Sequence, residues 1–445
     1  MKGDTQPLAE IIRPRKMKVS PSDYPDLPYV GLEQIEAHTT RLLGTVPATE
    51  MKSAANYFES GDVLYSRLRP YLNKVWRADR KGLCSSEFIV FPGNEKIDSD
   101  FLRYRLNSHD FVAFATGLNA GDRPRVDFDQ ISVFQTWLPK DLAGQRKIVA
   151  EIEKQFTRLE AGVAALRRVQ ASLKRYRAAV LKAACEGRLV PTEAELAKTR
   201  NGNSKFETGA ELLARILAER HKNWKGRGQY KEPAAPDTAK LPPLPKGWAW
   251  ATVDQLADIG SGNTPAKIAD HVRAVGPIPW FKVGDMNRQG NEQIMRSSES
   301  YMTQKSAEAL GLKVFPSGTI IFPKRGGAIA TNKKRQLEAP ATTDLNVMAL
   351  TPHCDVSTYF KRWFASIDLS SLSDGSNVPQ VNNKDIQPLP IPLPPLAEQT
   401  RIVAEVERRL SVVEELEAVV SANLQRATRL RQSILQKAFT GALAA

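Results

Sequence analysis

Two stretches of this chain repeat an apolar residue every three or four positions for much longer than an ordinary helix does. In the first, Ile152, Phe156, Leu159, Val163, Leu166, Val169, Leu173, Tyr176 and Val180 cover 28 residues in eight steps, or 3.5 per step. In the second, the series is Ile402, Val406, Leu410, Val413, Leu416, Val420, Leu424, Ala427, Leu430 and Ile434. A repeat of 3.5, below the 3.6 of a straight helix, predicts a left-handed coiled-coil seam. The pattern therefore predicts one long helix over 140–189 and another over 396–440. Gly187 and Gly441 stand where each helix should end, and glycine suits the left-handed turn that closes a helix.

Elsewhere the pattern is different. Residues 1–139 carry short β-type runs such as VLYS and EFIVF, broken by Pro, Gly and Asn. Residues 247–395 form a second globular block, ending in the run QPLPIPLPPLAEQ. After the first long helix comes a polar loop, TRNGNSK, at 199–205. A short amphipathic helix follows, with Leu212, Leu213, Ile216 and Leu217 on its apolar side. The stretch GRGQYKEPAAPDTAKLPPLPKG then predicts a semi-rigid linker, because proline restricts the backbone. Four blocks result: 1–139, 140–246, 247–395 and 396–445.

The second half of the chain repeats the first. QRKIVAEIE at 145–153 matches QTRIVAEVE at 399–407. Aligned without gaps, Leu142–Leu189 and Leu396–Leu443 share 16 identities in 48 positions. GDVLYSR at 61–67 matches GTIIFPK at 318–324, FLRYRL at 101–106 matches YFKRWF at 359–364, and VDFDQI at 126–131 matches VNNKDI at 381–386. A period this long is a duplicated domain. Each copy is a mixed α/β block followed by a long helix, so the fold class is α+β with an internal repeat. The two apolar stripes are expected to pack on each other, antiparallel, with the globular blocks at opposite ends. A helix of ~40 residues spans ~60 Å, so the pair would act as a spacer. A coiled coil serving only dimerisation is the other reading.

Charge narrows the partners. The net charge of +14 favours an anion. Residues 140–190 hold twelve Lys/Arg against five Asp/Glu, and 191–246 hold eleven against seven, so most of the excess lies in the middle of the chain. A solvated helix face with a basic linker would show the same bias. No apolar run approaches the ~20 residues of a membrane span. The first residues have no apolar signal core. Cys84, Cys185 and Cys354 form neither a disulfide framework nor a metal knuckle, so a cytoplasmic, reducing location is expected.

Catalytic constellations are missing from the sequence. It has no GxxxxGK[ST] phosphate loop and no HExxH zinc helix. His38, His109, His221, His271 and His353 are scattered. The GSG at 260–262 lacks the third glycine of a dinucleotide fingerprint and reads as a turn. A binding subunit, rather than an enzyme in its own right, fits this best.

Each globular block carries one dense basic hairpin. YSRLRPYLNKVWRADRK at 65–81 holds six Lys/Arg against one Asp, and FPKRGGAIATNKKR at 322–335 holds five and no acid. Such clusters suit phosphate contact and base reading. The candidates are Arg67, Arg69, Tyr71, Asn73 and Lys74 in the first copy. In the second they are Lys324, Arg325, Asn332, Lys333 and Lys334, with Gly326 and Gly327 allowing close backbone approach. A second loop recurs at 116–131 and 372–386. Its polar members are Asn119, Arg123 and Arg125, then Ser376, Asn377, Gln380 and Asn382. Loop-internal hydrogen bonds are the alternative for these.

The chain resembles the specificity subunits of type I restriction-modification systems. The resemblance rests on Pro394-Pro395-Leu396-Ala397-Glu398-Gln399 with IVAEVE after it, on IPWFKVGDMN at 278–287 and on SDGSNVPQVNNKDI at 373–386. It also rests on KRYRAAVLKAACEGRLVP at 174–191 and on YKEPAAPDTAKLPPLPKGWAW at 230–250. The first copy departs from the motif: Leu138-Pro139-Lys140-Asp141-Leu142-Ala143-Gly144-Gln145 has one extra residue and Gly144 where the second copy has Glu398. The resemblance implies two target-recognition domains, 1–139 and 247–395, each binding half of a split, asymmetric site on double-stranded DNA. It implies two methyltransferase subunits docked on the long helices and motor-nuclease subunits for restriction. S-adenosylmethionine, ATP and Mg would then sit on those partners and none on this chain. The half-sites would lie about one DNA turn apart, ~10 bp centre to centre. A non-specific nucleic-acid-binding coiled-coil scaffold is the alternative.

Overall fold

The structure, a computed structural model, describes residues 3–119, 121–199, 205–224 and 228–442. The polar loop expected at 199–205 lies outside the described residues except for its two ends. The chain divides into two compact units, Met1–Gln170 with Ala418–Ala445, and Ala171–Glu417. Each contains one globular block and the adjoining halves of two helices of 44 residues, Leu142–Cys185 and Leu396–Phe439.

In the first unit, strands Gly3–Pro7 and Gln135–Pro139 pair antiparallel and bracket the globular block, Gly3 opposite Pro139. Strand Val63–Ser66 lies between Val75–Arg77 and Phe88–Phe91. All four of its residues are buried, which a continuous apolar run VLY permits. A five-stranded sheet adds Lys18–Val19, Ala55–Phe58, Gly82–Cys84, Pro28–Val30 and Val46–Pro47. Helix Ser99–Leu106 starts at Asp98, whose carboxylate accepts from the Asp100 and Phe101 N–H groups. It packs Phe101 and Leu102 into a core shared with Ile152, Phe156, Ile434 and Phe439.

The second unit repeats the plan. Ala249–Thr252 pairs antiparallel with Pro390–Leu393. Ile320–Pro323, also fully buried, lies between Arg335–Leu337 and Val347–Pro352. The GDVLYSR/GTIIFPK match is thus a structural equivalence. So is FLRYRL/YFKRWF, since YFKRWF lies in helix Ser357–Ala365. Ile278–Phe281 forms a separate sheet with Tyr301–Met302 and Thr342–Thr343. The GSG segment is not the expected turn: Gly260 and Ser261 end strand Ala257–Ser261. A side chain at Gly262 would lie 2.1 Å from the Asp344 carbonyl oxygen.

Within each unit the long helices run antiparallel. In the first, the Arg431 guanidinium lies 3.9 Å from the Phe156 ring centre and pairs with Glu160 at 3.2 Å. In the second, Arg177 reaches Glu414 and Glu417 at 3.6 and 3.0 Å. Both helices end as the sequence predicts, on Gly187 at φ +66° and Gly441 at φ +77°. The seam is only partly as expected. Ile152, Phe156, Val180, Ile402, Val406, Leu410 and Ile434 are buried, but Val169, Tyr176, Leu416 and Leu430 are exposed. A two-helix layer covers a narrow stripe, and 3.6-residue helices drift off a 3.5 repeat. Val412 and Leu416 in the second unit, and Val419 in the first, are also exposed.

The motif PPLAEQ has a structural task in the second unit. Glu398 is fully buried. Its carboxylate accepts from the Trp248 indole N–H at 3.0 Å and from the Glu193 backbone N–H at 2.9 Å. Burial pushes its pKa up, opposed by those two hydrogen bonds. Glu398 therefore ties the start of the second long helix to the start of helix Glu193–Thr199 and to the residue before strand Ala249–Thr252. In the first copy Gly144 offers no such group, and the tether is Gln145. Its amide accepts from the Asp98 N–H at 2.8 Å and donates to the Lys96 carbonyl at 3.0 Å.

Candidate nucleic-acid interface

The structure brings the two recurring loops of each copy together through backbone hydrogen bonds. In the first unit the Arg67 N–H donates to the Glu87 carbonyl at 2.9 Å, and the Val126 N–H donates to the Arg67 carbonyl at 3.0 Å. The Arg69 N–H donates to the Pro124 carbonyl at 2.8 Å. In the second unit the Lys324 N–H donates to Asn346 at 2.8 Å, the Val381 N–H to Lys324 at 2.9 Å, and the Gly326 N–H to Pro379 at 2.8 Å. These three bonds align the copies residue by residue. Arg67 corresponds to Lys324, Arg69 to Gly326, Glu87 to Asn346, Arg125 to Gln380 and Val126 to Val381.

The junction is conformationally strained. Non-glycine residues with positive φ are His38, Arg69, Asn73 and Asn332 among the described residues. Three lie in the basic hairpins. The fourth, His38, donates its N–H to the Leu72 and Asn73 carbonyls and so lies against the first hairpin. Left-handed backbone is costly for a residue with a side chain, and such strain collects at functional sites. At the Arg69 position the second copy has Gly326, also at positive φ, +77°, where glycine carries no side-chain penalty.

The candidates sort by geometry. Arg67 and Arg69 are half-buried, and the Nε of each is buried without a hydrogen-bond partner. Tyr71, Arg123, Arg325 and Asn377 are exposed. Arg125 pairs with Glu87 at 2.5 Å, its side chain 59% exposed. Lys74 is half-buried and donates to the Leu32 carbonyl at 2.5 Å. Lys333 bonds Asn287. Burial pushes the Lys324 ammonium below its usual range, while Asp344 opposes this.

Two candidates are bonded inside the protein. Asn73 is buried, donates to the Asn107 carbonyl at 3.0 Å and accepts from the Asn107 amide at 2.9 Å. Its task is to hold the turn. Lys334 is half-buried, donates to the Ile367 carbonyl at 2.6 Å and to Asn332 at 2.9 Å, and lies over the Phe364 ring. Hairpin register aimed these side chains inward, and composition alone does not report that. Several second-loop residues are bonded within the loop. Asn119 donates to the Arg125 carbonyl, Ser376 to Asp374 and Val378, and Asn382 begins the helical turn Asn383–Ile386. Asn332 likewise accepts from the Leu369 N–H at 3.1 Å. Glu87, His38, Asn287 and Asn346 were missed by sequence reasoning, since each reaches the junction from a distant segment.

Lys334 yields a pH prediction. Burial pushes its pKa from 10.5 down to about 8. Between pH 8 and 10.5 the unfolded chain binds more protons, so stability rises with pH in that window and is lost as pH falls through 8. Lys334→Met should remove this rise, measured as thermal midpoints of both proteins from pH 7 to 10. Parallel curves would show that Lys334 is not buried as described.

Among the described residues no helix is long and apolar enough to cross a membrane, and no group of three or more His, Cys, Asp or Glu is placed to hold a metal ion. Two copies of one fold, each presenting a basic loop junction with different side chains, define a duplicated-domain protein with two candidate reading surfaces. Comparison with known proteins agrees. Residues 245–418 match the family model described as type I restriction modification DNA specificity domain. The chain is 26% identical over 307 residues to the Type I restriction enzyme EcoDI specificity subunit of Escherichia coli, covering 68% of this chain and 61% of that one. It is 29% identical over 167 residues to the MjaIX specificity subunit of Methanocaldococcus jannaschii, 36% of this chain and 37% of that one. The match thus spans less than two thirds of either relative. A solved structure concerned with complex assembly and conformational transition of the type I R-M system shares the fold, with a TM-score of 0.67 over 99% of this chain and 98% of that chain at 21% identity. Residues 245–418 thus match a type I restriction modification DNA specificity domain, and the chain as a whole is similar to type I restriction enzyme specificity subunits.

Proposed function

We propose that this chain reads a bipartite, asymmetric sequence on double-stranded DNA, one half-site per unit, and directs adenine methylation and restriction carried out by partner subunits. The observation that carries this reading is the loop junction. The same backbone bonds recur in both copies while the side chains on them differ. A shared frame with divergent side chains suits two readers of different base sequences. A scaffold that binds only phosphates would have no need of the difference. Exposed apolar residues on the long helices, Val412, Leu416 and Val419 among them, support docking of two methyltransferase subunits there. Motor-nuclease subunits would join for restriction. S-adenosylmethionine, ATP and Mg would be held by those partners, and the chain would act in the cytoplasm without catalysis of its own.

The test is a map of adenine methylation in cells carrying the neighbouring methyltransferase, with and without this chain. A split, asymmetric motif should vanish when the chain is removed. A pattern that is the same in both would sink the proposal. Binding of every sequence with equal affinity and a steep salt dependence would favour the scaffold instead.

A further inference from the structure

The equivalence of the two junctions shows one facing pair of residues that changes as a pair. In the first unit Glu87 and Arg125 meet there as an ion pair at 2.5 Å. In the second, the same backbone bonds place Asn346 and Gln380. Both members change together, from a charged pair to two neutral amides.

We infer that this position decides one base in each half of the target. Arg125, oriented by Glu87, reads a guanine, and Gln380 reads an adenine. The inference rests on the DNA-reading function proposed above and adds to it the residues and the bases.

The ion pair has little value as a stability device. The Arg125 side chain is 59% exposed, and exposed pairs contribute little to folding. Glu87 is the less exposed partner at 22%, and its Oε2 is buried with no hydrogen-bond partner. A carboxylate withdrawn from water with one oxygen unbonded is unfavourable on its own account. What it supplies is orientation: Oε1 accepts from Nη2 of Arg125 and holds that end of the guanidinium in place. Fixing a long side chain before binding removes an entropy cost from recognition. A planar fork held this way matches the O6 and N7 acceptors of guanine. Buried Oε2 cannot itself touch a base, so Glu87 is a positioning residue. The Arg125 backbone is fixed as well, by its bridge to Leu68 and by the Asn119 amide on its carbonyl.

In the second unit the Gln380 backbone is held by its bridge to Arg325 and by donation of its N–H to Asp374 at 3.1 Å. Its side-chain amide has no partner among the described residues. Asn346 turns its own amide to Asp344 at 3.1 Å, so it neither attracts nor requires a cation at 380. A free carboxamide on a fixed backbone pairs with N6 and N7 of adenine.

The experiment maps adenine methylation with the partner methyltransferase for the wild-type chain, Arg125→Gln, Arg125→Lys, Glu87→Ala and Gln380→Arg. Arg125→Gln and Arg125→Lys should each relax one guanine-containing position of one half-site by about ten- to a hundredfold in relative methylation. Arg125→Lys keeps the charge beside Glu87 and loses only the fork, which guards against a folding defect in the glutamine variant. Glu87→Ala should relax that same position, by less. Gln380→Arg should relax or shift one position of the other half-site toward guanine. Every motif position unchanged in these variants overturns the inference and leaves the proposed function standing. So does an even loss of methylation at all sites in Glu87→Ala, which a merely structural role would give. A wild-type chain that directs no split motif overturns the proposed function, and this inference with it.

Discussion

Glu398→Ala is expected to lower the thermal midpoint of the chain by about 6–12 °C, the largest single-residue effect on folding. Two buried donors, the Trp248 indole and the Glu193 N–H, would lose their acceptor inside the second unit. Each buried donor left unsatisfied costs about 1–3 kcal/mol, and at about 1.5 kcal/mol each, in the lower half of that range, the pair together costs about 3 kcal/mol. For a unit of this size each kcal/mol shifts the midpoint by roughly 2–4 °C. Arg401 adds to the effect, because it pairs with Glu193 and holds the Pro191 carbonyl at 3.2 Å. The mirror change, Gly144→Glu, should stabilise nothing, since Gln145 already makes the tether there. Calorimetry of both variants decides the matter. A shift below 2 °C for Glu398→Ala would mean that water replaces the carboxylate.

The second large effect concerns binding. Lys324→Ala, Arg325→Ala and Lys333→Ala combined should weaken DNA binding by the assembled complex about a hundred- to a thousandfold at low salt. The slope of log affinity against log salt should become shallower by about 0.9 for each phosphate no longer neutralised. Arg325 is exposed on its turn, and half-buried Lys333 is bonded to Asn287. The loss should be nearly the same on specific and unrelated DNA, because bonds to phosphate carry no sequence information. Lys334→Met should leave affinity almost unchanged, as its ammonium is bonded to Ile367 and Asn332. Binding titrations over a range of salt concentrations test this. An unchanged slope in the triple variant would remove the 322–335 hairpin from the interface.

Much of this architecture was legible because it is periodic or repeated. A 3.5-residue apolar repeat over dozens of positions specifies a long helix whatever surrounds it, and both helices appear within a few residues of their expected limits. Strands 63–66 and 320–323 were legible as unbroken apolar runs, and their shared role followed from the duplication. The direction of individual side chains was not legible. Asn73 and Lys334 look like their neighbours in composition, yet hairpin register turns both inward. The exposed seam positions Val169, Tyr176, Leu416 and Leu430 show the same limit, since periodicity marks a stripe and not what covers it. Glu87 and Asn346 carry no local sign of their part. They reach the junction through strand pairing with segments some twenty residues away, so only three-dimensional neighbours reveal them.

The bracketing strands have a consequence for how a protein with the function proposed above would change its target. Gly3 lies opposite Pro139, and Ala249 lies opposite Leu393, so each globular block begins and ends at one two-stranded clip. The chain enters and leaves the block side by side. A foreign block with the same clip could be exchanged as a cassette, with the long helices left continuous. Retargeting would then require one recombination event rather than many coordinated substitutions. Two cassettes on one frame would also let a small repertoire of blocks generate new targets by combination.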